Sequence, residues 1–203
     1  MASAQIGADR AGLPVAGSQR VYGFSDRLYG RRTIDVTIRA TRVDGSSIEE
    51  SVAPGGANGP GSRRTVSTGE ARFVSHGLAS DAGLTGFAPY FLAAHGEKTS
   101  AVVITAAGYP VVSGDPEWVA RAKPQIWEQG TVPAGNFGAL RLEISGQRAR
   151  IPSDPNTSRE FLVHVWYAPE VQRYVRLEQK EWLHSRRQFS HVVVELTKYS
   201  PPP

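Results

Sequence analysis

Residues 126–145 read IWEQGTVPAGNFGALRLEIS, and this stretch decides the fold class. Ile126 to Val132 is an apolar run of strand length. Pro133-Ala134-Gly135-Asn136 follows as turn chemistry, with proline setting φ early and glycine free to take a positive φ. Phe137 to Ser145 then returns with Leu140, Leu142 and Ile144 on one face. Two apolar runs around such a turn predict an antiparallel hairpin with one buried side.

Working outward, the same grammar repeats. Glu160 to Tyr167 is a strand, Ala168-Pro169-Glu170 a turn, and Gln172 to Trp182 the returning strand. Phe189 to Tyr199 closes the series with Val192, Val194 and Leu196 on one face, and the proline tail 200–203 cannot continue a ladder. Toward the N-terminus, Val21 to Leu28 leads to a turn at Tyr29-Gly30. Thr33 to Val43 alternates strictly: Ile34, Val36, Ile38 and Ala40 on one side, Asp35, Thr37, Arg39 and Thr41 on the other. Asp44-Gly45 predicts a hairpin, with Ser46 to Ala53 returning. Residues 54–64 form a Gly/Pro connector, and 65–74 and 100–112 read as further strands. Residues 115–124 (DPEWVARAKP) predict a short helix, opened at Asp115-Pro116 and stopped by Pro124. The expected architecture is mostly β, a single curved antiparallel sheet, half-barrel or sandwich with one or two short helices. Residues 1–19 are expected to be a flexible arm, 20–199 one β domain and 200–203 a tail.

Composition agrees. The 203 residues include 21 glycines and 14 prolines, an excess that favours many turns over helix interiors. The chain contains no cysteine, which excludes disulfides, thiolate nucleophiles, cysteine-bound zinc and a lipoprotein anchor within it. The net charge of +4 is spread rather than run together. No apolar stretch approaches the ~20 residues of a membrane-spanning helix. Ala2-Ser3-Ala4-Gln5 reads as the small-residue end of a secretory cleavage site, so a signal peptide removed ahead of this chain and a periplasmic or extracellular location are expected.

Common catalytic patterns are missing. No Gly-x-Ser-x-Gly elbow occurs. His76, His95, His164, His184 and His191 show no metal-ligand spacing, so no metal is expected. Glu49-Glu50 and Asp115 with Glu117 are acid pairs with nothing to single one out for glycoside chemistry. Arg31-Arg32, Arg63-Arg64 and Arg186-Arg187 sit at turns or loops without the interleaved aromatics of a nucleic-acid reader. The chain is therefore expected to be no enzyme, to need no cofactor and to bind no nucleic acid.

Thr131-Val132-Pro133-Ala134-Gly135-Asn136-Phe137 and Val165-Trp166-Tyr167-Ala168-Pro169-Glu170-Val171-Gln172-Arg173-Tyr174-Val175 resemble two signatures of a bacterial family of exported domains of unknown function, and the closing Glu195-Leu196-Thr197-Lys198-Tyr199 is similar to that family's last strand. The resemblance covers about residues 125–199. Val21-Tyr22-Gly23-Phe24 stands where that family has a tryptophan. The resemblance implies a curved antiparallel sheet somewhat like the periplasmic lipoprotein carriers, and no catalytic residues.

Three functions compete: a non-catalytic extracytoplasmic module that binds or carries an apolar or glycan ligand, an accessory subunit docked on a larger extracytoplasmic assembly, and an uncharacterised hydrolase. The candidate contact residues are Trp166, Tyr167, Tyr174 and Arg173, with Phe87, Tyr90 and Phe91 from the apolar segment 87–92. Adjacent residues in a strand face opposite ways, so Trp166 and Tyr167 are expected to part company.

Overall fold

The computed structural model describes residues 12–44, 47–55, 62–67, 73–75, 102–105, 118–148, 159–183 and 186–202. They form eleven strands: β1 (Gln19–Asp26), β2 (Arg31–Val43), β3 (Ser47–Pro54), β4 (Ser62–Ser67), β5 (Phe73–Ser75), β6 (Val102–Thr105), β7 (Trp118–Val132), β8 (Gly135–Arg148), β9 (Arg159–Ala168), β10 (Arg173–Leu183) and β11 (Gln188–Ser200). All belong to one open antiparallel sheet in the order β5-β4-β3-β2-β1-β11-β10-β9-β8-β7-β6. Every strand lies beside its neighbour in sequence, with two exceptions. β5 and β6 stand at opposite edges, and β1 pairs with β11 in the middle.

The expected mostly-β sheet is present. The helix expected over 115–124 is not: residues 118–124 belong to β7, and no helix occurs among the described residues. Trp118 to Pro124 pairs with Leu142 to Arg148, and the register then slips between Pro124 and Trp127. The proline sits at that irregularity, where a ladder is already interrupted. Its position marks a bulge rather than a helix end. The hairpin turn after β7 is also tighter than expected. Val132 pairs directly with Gly135, leaving Pro133 and Ala134 as the loop, and Gly135 takes a φ of 138°.

The sheet curls onto itself. Glu50 of β3 and Arg173 of β10 lie four places apart in strand order, yet their side chains form an ion pair. Tyr22 of β1 and Tyr174 of β10 pack with ring centroids 4.9 Å apart. The β7–β8 turn reaches β11, where the Ala134 N–H donates to the Leu196 carbonyl at 3.0 Å. The register of β1 on β11 shifts beside Leu196, leaving Thr197 as the extra residue. The enclosed core contains Val36, Ile38, Ile48, Leu142, Ile144, Val163, Val165, Leu177, Val194 and Leu196.

The strand registers sort the connections to two ends. At one end lie Pro133-Ala134, residues 169–172, the Asp44 to Ser47 hairpin and the approach to β1. This is the turn end. At the opposite, loop end lie residues 27–30, the β10–β11 turn, and the points where the chain leaves and re-enters around 56–61, 106–117 and 149–158.

Candidate binding site

Cross-strand partners share a face, so the registers define the sheet's two surfaces row by row. One surface is apolar. Leu142, Val165, Leu177 and Val194 make one continuous row across β8 to β11. The next row toward the loop end is Ile144, Val163, Gln179 and Val192, and the next is Gly146, Phe161, Glu181 and Ser190. Within these three rows, polar side chains appear only toward the loop end.

Gln179 is the unusual member. It is 6% exposed, with Val163 beside it in the ladder. Its Nε2 donates to Glu181 Oε1 at 2.6 Å. A carboxylate can only accept, which fixes the amide orientation and leaves Gln179 Oε1 as the other end. That oxygen is buried and has no hydrogen-bond partner among the described residues. A buried acceptor left without a donor costs on the order of 1–3 kcal/mol, so its presence calls for a reason.

The opposite surface carries a polar ladder. Arg141, Trp166, Arg176 and Glu195 are in register, and Glu143, His164 and Glu178 form the next row. The Trp166 indole N–H donates to Glu128 Oε1 at 2.6 Å, and the Arg176 guanidinium lies 5.1 Å above its ring. Arg141 approaches Glu128 at 3.6 Å and donates to Gln125 Oε1 at 2.7 Å. Glu178 accepts from Lys180 and lies 3.0 Å from His191 Nε2. Burial works to raise the Glu178 pKa, but the bonds and charges of Lys180 and His191 outweigh it and hold the carboxyl below its ordinary value.

The residues expected to form one contact surface are divided between these places. Trp166 is half-buried on the polar ladder, its ring already covered by Arg176. Tyr167 and Tyr174 face the core, 1% and 2% exposed, and meet edge to face at 6.5 Å. Arg173 is enclosed with Glu50 and lies 5.1 Å from the Tyr174 ring. Phe87, Tyr90 and Phe91 lie outside the described residues, as do His76, His95, His184 and Asp115. Sequence reasoning passed over Gln179. Its signal was a polar residue in phase with Leu177 and Val175, where the alternation of β10 calls for an apolar one. It also passed over Arg20, wholly buried on β1, whose Nε and Nη2 donate to the Val171 carbonyl at 3.0 and 2.6 Å.

No protein-family model matches the chain, and no curated protein matches it. Solved structures do resemble it. A "putative exported protein" with YmcC-like fold from Bacteroides fragilis is 14% identical over 93% of this chain and 97% of its own, with a TM-score of 0.49. The hypothetical lipoprotein YmcC from Escherichia coli is 9% identical over 98% and 91%, with a TM-score of 0.46. A "putative lipoprotein" from Parabacteroides distasonis is 14% identical over 93% and 97%, with a TM-score of 0.53. The curled sheet is therefore similar in fold, along nearly its whole length, to the "putative lipoprotein" structure from Parabacteroides distasonis.

Proposed function

We propose that this chain is an exported, non-catalytic β-domain that binds a ligand with an apolar body and a hydroxyl or N–H donor. A glycan conjugate or an acyl chain with a polar head meets that description. The observation that carries the reading is Gln179 Oε1, a buried acceptor without a donor among the described residues, on the otherwise apolar row Ile144, Val163 and Val192. A ligand donor there would relieve the cost of burying the oxygen, while the neighbouring apolar side chains would take the ligand's body. Export is supported by the fold shared with the "putative lipoprotein" structure from Parabacteroides distasonis. The absence of catalysis is supported by the acids of the polar ladder. Glu128, Glu178 and Glu195 each face a cation, and Glu50 is enclosed with Arg173.

Native mass spectrometry of the protein purified from its own source tests the reading, with Gln179→Leu alongside. A bound mass removed by organic extraction and lost in Gln179→Leu is expected. A bare-chain mass in the parent protein would overturn it.

A second reading, an accessory subunit of an extracytoplasmic assembly, is favoured by one feature. Ile126 and Trp127 are 51% and 36% exposed at the β7 bulge, beside Glu128. Apolar area of this kind, rimmed by charge, suits a protein interface. Trp127→Ala would then release a co-purifying protein while leaving any bound small mass in place.

A further inference from the structure

We propose that the loop end, at the β1–β2 and β10–β11 turns, is a surface that rests on an anionic lipid bilayer. The inference goes beyond ligand binding on the apolar face and does not depend on it. The two turns belong to one patch. Asp26 pairs with Val192, and the Arg27 N–H donates to the His191 carbonyl at 2.8 Å. From there β10 and β11 continue past β1, pairing out to Trp182 and Gln188.

The tips carry both halves of an interfacial signature. Tyr29 is 70% exposed and Leu28 39%, the former the most exposed large apolar side chain among the described residues. Arg27, Arg186 and Arg187 are also exposed. None of these three guanidiniums makes an ion pair among the described residues. The nearby acids are occupied otherwise. The Asp26 carboxylate accepts from the N–H groups of Leu28 and Tyr29 at 2.9 and 3.2 Å, which shapes the turn. Glu181 holds Gln179, and Glu178 holds Lys180 and His191. Among the described residues, the patch thus presents positive charge with no local answer to it.

Charge alone would serve any polyanion. The apolar tips choose between partners. A tyrosine offers an apolar ring with a polar tip, suited to headgroup depth, and a leucine gains only where water can be left behind. Arginines flanking such side chains gain from the negative surface potential of anionic lipid. The backbone is set for display: Gly30 and Arg186 both take positive φ, at 67° and 60°. A non-glycine residue held there is a local cost that an exposed turn has no packing reason to carry.

Sedimentation with vesicles of phosphatidylglycerol and phosphatidylcholine tests the proposal, with pure phosphatidylcholine vesicles as control. The full chain is expected to bind the anionic vesicles and not the neutral ones. Each charge removed in Arg186→Gln and Arg187→Gln should weaken binding about fivefold. Leu28→Ser with Tyr29→Ala should abolish the part of the binding that survives raised salt, with the melting temperature unchanged because these side chains are exposed. Failure to sediment with anionic vesicles would overturn the proposal. So would binding that soluble dextran sulfate displaces fully and that Leu28 and Tyr29 do not affect, since that describes a polyanion surface.

Discussion

At the turn end, Arg20 and Arg173 are enclosed, one against the Val171 carbonyl and the other against Glu50. At the loop end, Arg27, Arg186 and Arg187 stand in solvent beside an exposed tyrosine. The same side chain does opposite work at the two ends of one sheet. Enclosed arginines must be matched by acceptors in fixed places, and here they tie together strands that are not neighbours: β1 to the β9–β10 turn, and β10 to β3. Exposed arginines without partners add nothing to the fold and leave their charge for something else.

Removing the enclosed charge match should have the largest effect. Glu50→Ala leaves Arg173 buried without its carboxylate and should cost about 3–5 kcal/mol, read from urea unfolding. Glu50→Leu combined with Arg173→Met should recover much of that loss, because an apolar pair needs no charge match. If the double variant is as unstable as the single one, the ion pair is not what joins β3 to β10.

Tyr174→Ala addresses the same end through packing. Its ring lies between Tyr22 and Tyr167, and truncation should cost roughly 3 kcal/mol, within the range for large aromatics. A melting temperature near the parent's would return Tyr174 to the list of contact residues. Gly135→Val is expected to cost about 1–3 kcal/mol, because φ there is 138°. The penalty is one of backbone, since a β-carbon would meet only the Phe137 ring at 3.8 Å. A chemical denaturation midpoint unmoved by the valine would show that the β7–β8 turn tolerates another geometry.

The smallest effect belongs to Glu178, between the two ends. Its folded pKa is depressed below the ordinary glutamate value, so its contribution is present above that ordinary pKa and fades as pH falls through the lower folded one. As a part-exposed, screened group it should contribute well under 1 kcal/mol. Glu178→Gln should flatten the stability profile slightly below about pH 5 and leave it parallel to the parent's at neutral pH. An unchanged slope in acid would mean that Lys180 and His191 do not act on it in solution.

Much of the sheet was legible because its residues alternate. Val36, Ile38 and Ala40 are buried as their phase predicts, as are Leu140, Leu142 and Ile144. Period two is a local signal, and the β7–β8 and β9–β10 hairpins follow from it and from their turns. Residues 118–124 misled because Asp115-Pro116 imitates a helix start and a bulge hid the proline's true role. The curl was not legible, since nothing in the neighbourhood of Glu50 announces an arginine 123 residues away. Trp166 and Tyr167 part company as strand geometry requires, and Tyr167 turns inward in phase with Phe161, Val163 and Val165 of β9. Gln179 carried a signal of phase, visible only once its row of partners was known.

The pairing of β1 with β11 also sets a timetable. A chain delivered from its N-terminus offers β1 a first partner within a few residues, in β2. Its other edge must wait, for Thr197 bonds to Val21 across 176 residues of sequence. Until the last strand arrives, the edge of β1 that will meet β11 displays bare N–H and C=O groups. Such distant closure is entropically slow. The half-emerged protein is thus a sticky edge, and the final thirteen-residue strand is the piece that converts two separate meanders into one sheet.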